Sequence, residues 1–153
     1  MERFENKVVL ITGGATGIGL ATARRFAQEG AKVVIASRNE EAGQKAVADI
    51  RASGGDATFI QTDVTQDAQV ESLIKRTTET YGRIDAAFNN SGTEGIPSPL
   101  ADDNQENFKR SFEVNVKGLW LCMKHQLKHM QQQCAGSIVN NASIAGLIGF
   151  PGL

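Results

Sequence analysis

With 153 residues, sixteen basic against seventeen acidic and a net charge of −1, the chain has room for one domain with a real core. Its basic residues never run beyond a pair (Arg24-Arg25, Lys75-Arg76, Lys109-Arg110), which argues against nucleic-acid or anionic-membrane binding. No apolar run reaches the length of a membrane span and residues 1–7 hold no signal-peptide core, so a cytoplasmic protein is expected.

In chain order, Lys7-Val8-Val9-Leu10-Ile11 is a β-branched run without polar alternation, as in a strand buried on both faces. The turn Thr12-Gly13-Gly14-Ala15-Thr16-Gly17-Ile18-Gly19 follows. Leu20, Ala21, Ala23, Phe26 and Ala27 then line one side of a helix that stops at Glu29-Gly30. Residues 32–36 read as a second strand, followed by Ser37-Arg38-Asn39-Glu40 and a helix to about Ser53-Gly54-Gly55. Ser37 and Glu40 have capping-box spacing, so Ser37 is a candidate cap for that helix. Residues 57–61 form a third strand ending at Thr62-Asp63-Val64-Thr65, and Val70, Leu73 and Ile74 mark a helix that ends near Tyr81-Gly82. Residues 84–88 are a fourth strand, followed by Asn89-Asn90-Ser91-Gly92. A loop with Pro97, Pro99 and Asp102-Asp103 leads to the longest helix, residues 105–132, and residues 136–140 form a fifth strand. This alternation predicts an α/β fold: a doubly wound, Rossmann-like parallel sheet of about five strands, a single domain over 1–153, with ligands at the strands' C-terminal ends.

The glycine turn joins a strand to a helix N-terminus, where backbone N–H groups converge and the helix dipole favours a phosphate. A plain turn needs one glycine, and this one has four. Their spacing, Gly13-x-x-x-Gly17-x-Gly19, differs from the G-x-G-x-x-G dinucleotide fingerprint. Gly13 suits a sharp exit from the strand, Gly17 a close approach of backbone to ligand, and Gly19 tight packing of helix on sheet. An acidic residue after the second strand would bond the ribose hydroxyls of NAD and repel a 2′-phosphate. Ser37 and Arg38 stand there instead, and a guanidinium pairs with phosphate, so NADP(H) is favoured over NAD(H). The alternative is a solvated Arg38 with no ligand.

Cys122, His125 and His129 share one face of the long helix at i, i+3 and i+7. A zincin helix needs His-Glu-x-x-His, and Gln126 occupies the glutamate's place with no carboxylate beside the pair, so no metal site is expected. Cys122 and Cys134, twelve residues apart on one helix, would lie about 18 Å from each other. That exceeds disulfide reach, and two free thiols are expected.

The turn beginning at Thr12 resembles the T-G-x-x-x-G-x-G of short-chain dehydrogenases/reductases, and the resemblance spans the whole chain. Asp63-Val64 matches the pair set against adenine in that family. Asn89-Asn90-Ser91-Gly92 resembles its N-N-A-G, with Ser91 in place of alanine. Asn115 matches the helix asparagine of the catalytic tetrad, and Ser143 in Asn140-Asn141-Ala142-Ser143 matches the catalytic serine. Taken singly, Asp63 could cap a helix and Asn89 could pin a turn. The resemblance implies an NAD(P)-dependent oxidoreductase that exchanges hydride with a small-molecule secondary alcohol or ketone. It assigns Gly13, Thr16, Gly17, Ile18, Gly19, Ser37, Arg38, Asp63, Val64, Asn89 and Gly92 to the cofactor, and Ser143 and Asn115 to catalysis.

The family's remaining catalytic pair is Tyr-x-x-x-Lys, the lysine lowering the pKa of a tyrosine that otherwise titrates near 10. The motif normally lies about a dozen residues beyond the serine. Here the sequence stops at Leu153, its one tyrosine is Tyr81, and no lysine follows Lys128. The expectation is a C-terminally truncated chain, catalytically incomplete, with a bare edge on the fifth strand. Phe108, Phe112, Val116, Leu119, Trp120 and Met123 on the long helix would lack cover, at about 1.5–3 kcal/mol for each large side chain left in water. Marginal stability, or a homo-oligomer through helix 105–132, follows. The alternative to an oxidoreductase is a non-catalytic dinucleotide-binding or interaction module. A Rossmann-like methyltransferase would leave Asn115 and Ser143 together unexplained.

Overall fold

A computed structural model describes residues 3–149; residues 1–2 and 150–153, the two ends of the expected domain, lie outside the described part. Five strands, β1 (Val8–Thr12), β2 (Lys32–Ser37), β3 (Asp56–Gln61), β4 (Ala86–Asn89) and β5 (Ser137–Asn140), form one parallel sheet in the order β3-β2-β1-β4-β5. Each sequence-predicted strand is present, with ends shifted by up to two residues.

The period-2 alternation of the strands sends successive side chains to opposite faces, and each face has its own core. Val9, Ile11, Val33, Ile35 and Phe59 meet Ala23 and Ala27 of α1 (Gly17–Gln28) and Ala46, Val47 and Ile50 of α2 (Glu40–Ala52). Val8, Leu10, Val34, Ala36 and Ile60 meet Leu73 and Ile74 of α3 (Asp67–Tyr81) and Met130 of α5 (Leu119–Gln133). α3 stops where Gly82 takes a left-handed conformation, φ 78°.

Two local expectations are corrected. α2 begins at Glu40, so its cap is Asn39, whose side chain accepts the Ala42 N–H at 3.0 Å. Ser37 lies too far upstream, and its hydroxyl donates to the Asn39 carbonyl at 3.2 Å. The long helix is present but not uniform. α4 (Gln105–Phe112) runs through a π-helical segment, Glu113–Gly118, into α5. This wider turn re-phases the helix. Phe108, Phe112, Val116 and Trp120 remain exposed, Leu119 and Met123 are half-buried, and Leu121, Cys122, His125 and Gln126 turn inward. A wide turn inside an α-helix is a frequent mark of a functional site, and this one contains Asn115. Among the described residues no helix is long and apolar enough to cross a membrane.

Candidate cofactor and active site

β1, β4 and β5 end in register, with Thr12 beside Asn89 and Asn89 beside Asn140. This polar row forms the floor of an open cleft of about 1800 Å³ at the C-terminal edge of the sheet. β1 is the switch point of the fold: the chain leaves it towards β2 and β3 on one side and returns to β4 and β5 on the other. Ligands of doubly wound sheets bind at such a crevice.

The glycine turn closes the floor on the β1 side. Gly13 and Gly17 have φ of +64° and +52°, the region that β-carbon-bearing residues avoid. A Cβ at Gly19 would press into the Gly13 carbonyl oxygen and approach the Asn90 amide nitrogen to 2.7 Å. A Cβ at Gly17 would meet nothing within 4 Å, so the space above the α1 N-terminus is free for a phosphate.

Thr12 and Asn90 hold this turn to β4. The Thr12 hydroxyl oxygen accepts the N–H groups of Asn90 at 3.1 Å and Ser91 at 3.2 Å, and the Asn90 amide donates to the Gly13 carbonyl at 3.2 Å. The Asn141 amide donates to Asn90 Oδ1 at 2.9 Å. The residue that pins the turn is therefore Asn90, whereas Asn89 faces α5. There Asn89 and Gln126 exchange hydrogen bonds in both directions, at 2.9 and 2.7 Å, and Asn89 also donates to Asn140 Oδ1 at 2.9 Å.

At the β2 end of the cleft, Arg38 is exposed and lacks an ion-pair partner among the described residues, while its carbonyl accepts Gln61 Nε2 at 3.0 Å. Asp63 does not cap α3. One carboxylate oxygen accepts the Thr65 N–H at 2.9 Å and the Thr65 hydroxyl at 2.8 Å, closing a local turn. Val64 is buried against Gly118 of the π segment.

Asn115 and Ser143 line the other end. Asn115 accepts the Thr93 N–H at 2.9 Å and donates to the Thr93 carbonyl at 2.8 Å. The Ser143 oxygen accepts the Ala145 N–H at 3.2 Å at the head of a short 3₁₀ turn, Ile144–Gly146, and the residue is exposed to the cleft. Gly13, Thr16, Gly17, Ile18, Ser37, Arg38, Asp63, Val64, Asn89, Gly92, Asn115 and Ser143 all border the cleft. Gly19 lies beneath it. Tyr81 is at the opposite edge of the sheet. Its hydroxyl lies 2.8 Å from the Thr58 hydroxyl and donates to Asp56 at 3.0 Å, and burial pushes its pKa up.

The helix-face trio is engaged elsewhere. Cys122 packs with Val64, Val70 and Leu121, and burial pushes its thiol up to about 12. His129 pairs with Gln133 at 3.2 Å. His125, contrary to expectation, does have a carboxylate beside it: Asp67 of α3, at 2.8 Å. Hydrogen bonds from His125 and Lys124 hold Asp67 below the ordinary carboxylate range. The sequence reading missed this pair because the partners are 58 positions apart.

Sequence reasoning named Thr12, Asn90, Gln126 and Asn141 only as members of motifs, without the bonds they make here, and passed over Asn107 altogether. Gln126 had left a signal, a polar residue on the apolar side of an otherwise buried helix face.

Solved structures share this architecture. The chain superposes on an NAD+-bound xylitol dehydrogenase with a TM-score of 0.95, at 38% identity over 98% of this chain and 58% of that one. It superposes on a variant actinorhodin polyketide ketoreductase with NADPH with a TM-score of 0.91, at 33% identity over 95% of this chain and 56% of that one. A 2,5-dichloro-2,5-cyclohexadiene-1,4-diol dehydrogenase of Sphingobium indicum is 41% identical over 152 residues, 99% of this chain and 60% of the relative. The chain thus spans roughly three-fifths of the length of the relatives it matches. The short chain dehydrogenase family model matches residues 7–153, and the chain belongs to that family.

Proposed function

We propose that this chain carries the cofactor site and the serine–asparagine part of the catalytic site of an NADP(H)-dependent oxidoreductase acting on a small-molecule secondary alcohol or its ketone. The relatives' names support hydride-transfer chemistry, and both NAD+ and NADPH occur among the structural neighbours. A bound nicotinamide would donate or accept the hydride. The chain's own groups bind and orient: N–H groups of the glycine turn hold the pyrophosphate, Asp63 and Val64 border the adenine, and the Ser143 hydroxyl holds the substrate oxygen.

The preference for NADP(H) rests on one observation. Arg38 is exposed at the β2 end of the cleft, without an ion-pair partner among the described residues, and no carboxylate ends that strand, so a 2′-phosphate would meet a cation there. Calorimetric titration with NADPH and NADH tests it. NADPH should bind at least tenfold tighter, and tighter NADH would overturn the preference.

A second reading, for these 153 residues by themselves, is a dinucleotide-binding module without turnover, since Tyr81 within them bonds to Thr58 and Asp56 at the edge of the sheet remote from Ser143. Oxidation of cyclohexanol with NADP+ by the 153-residue chain would exclude it. The same proposal places the protein in the cytoplasm, where the unpaired Cys122 and the exposed Cys134 stay reduced. It also gives the exposed stripe of Phe108, Phe112, Val116 and Trp120 to a second copy of the chain.

A further inference from the structure

We propose that Asn107 is a positioning residue that fastens residues 93–96 onto the long helix as a fixed wall over the Ser143 end of the cleft; the inference rests on the cofactor reading above. This segment is irregular, yet its peptide groups are paired as if against a neighbouring strand. Asn115 takes both the N–H and the carbonyl of Thr93. Asn107, two helical turns earlier, does the same to Ile96: Oδ1 accepts the N–H at 2.8 Å and Nδ2 donates to the carbonyl at 2.9 Å. A side-chain amide has the donor and acceptor of a peptide group, so two asparagines on one helix replace a strand partner.

The orientation of the Asn107 amide is fixed independently. Its Nδ2 also donates to Asp103 Oδ1 at 2.8 Å, and a carboxylate there only accepts. The oxygen is thereby turned to the Ile96 N–H. The Asn104 N–H donates to the same Asp103 oxygen at 2.8 Å, and these bonds keep the Asp103 carboxyl below its ordinary range. Gly95 shows how closely the segment lies on the helix. Its φ is +70°, and a Cβ there would approach Ser111 Oγ to 2.7 Å and Asn107 Oδ1 to 2.8 Å.

The fastened segment faces the cleft with Ile96 and Pro97, on the side of Asn115 and Ser143, while Ser37 and Arg38 lie at the other end. Ile96 is 63% exposed, an apolar surface over the half of the cleft where a bound dinucleotide would react. Asn107 touches none of the reacting atoms. It acts by holding that surface at a set distance from Ser143.

The test uses Asn107→Ala and Gly95→Ala, which loosen the segment from its two sides and leave Asn115 intact. NADPH, which fills both halves of the cleft, is compared with 2′,5′-ADP, which fills only the half near Arg38. Both variants should weaken NADPH at least fivefold and leave 2′,5′-ADP within twofold, and amide exchange over 93–98 should rise at least tenfold. Retained 2′,5′-ADP binding reports that each variant is folded. Unchanged NADPH affinity, or equal loss of both ligands in both variants, overturns the assignment while the cofactor reading stands. Wild-type chain that binds neither ligand overturns the cofactor reading, and this inference with it.

Discussion

The side-chain amides of Asn89 and Gln126 bond to each other in both directions, 2.9 and 2.7 Å, at residues only 4% and 1% exposed. The pair ties the C-terminal end of β4 to the middle of α5, and Asn140 extends the tie to β5. Replacing Gln126 by leucine leaves the Asn89 carbonyl oxygen buried without its donor, which costs about 1–3 kcal/mol for each unsatisfied group. Gln126→Leu should therefore lower the unfolding free energy read from urea melts by that amount, and a second change, Asn89→Leu, should recover part of it. Equal stability of wild type and Gln126→Leu in urea melts would show that the pair contributes nothing net.

Arg38 gives a prediction of a different kind, on ligand choice. A guanidinium–phosphate bond contributes about 1.5–3 kcal/mol, or roughly ten- to a hundredfold in Kd. Arg38→Ala should weaken NADPH by at least tenfold and change NADH less than twofold, since Arg38 is exposed and makes no ion pair among the described residues. An equal effect on both nucleotides, measured by calorimetry, would assign Arg38 to general electrostatics.

The main features of the fold were legible because they rest on local signals. Uninterrupted β-branched runs marked strands buried on both faces, and Gly82 marked the left-handed stop of α3. The spacing of Gly13, Gly17 and Gly19 placed the cleft, because backbone that must bend or lie close to another chain segment leaves a trace in the sequence. Polar pairing left little such trace, Gln126 on its buried helix face excepted. The bonds from Asn90 to Gly13, from Gln126 to Asn89 and from His125 to Asp67 join positions 37 to 77 residues apart, and asparagine or glutamine looks the same in a loop, on a surface or in a buried pair. The wide turn at Glu113–Gly118 was hidden for another reason. A single residue gained in a helix shifts the apolar face without breaking its pattern.

Gly17 and Gly19 separate binding from folding. An alanine methyl at Gly19 runs into the Gly13 carbonyl, so Gly19→Ala must push α1 off the sheet or open the turn. The same methyl at Gly17 meets no protein atom, and its cost is the left-handed conformation, about 1–2 kcal/mol. Both variants should lose NADPH, Gly17→Ala because its methyl enters the phosphate space. Only Gly19→Ala should lose more than that in a urea melt. Full NADPH affinity in Gly17→Ala would place the pyrophosphate elsewhere.

Glu29 contributes to the acid response from the far end of α1. Arg3 holds its carboxylate with two bonds, Nε to Oε2 at 3.0 Å and Nη2 to Oε1 at 2.9 Å, and Arg25 adds a third at 2.6 Å. Glu29 caps the C-terminal end of α1, where the helix dipole disfavours a negative charge, yet the hydrogen bond from Arg3 is the largest influence and draws the pKa from 4.5 to about 2. A carboxyl with a lower pKa folded than unfolded stabilises the fold above its unfolded pKa. That stabilisation fades as pH falls from about 4.5 and is gone near pH 2. Glu29→Gln should then be less stable than wild type at pH 7, with the gap narrowing steadily as pH falls below 4.5. Urea melts of the two proteins at pH 7, 4 and 3 check this, and a gap that stays constant, or widens towards acid, would remove Glu29 from the acid response.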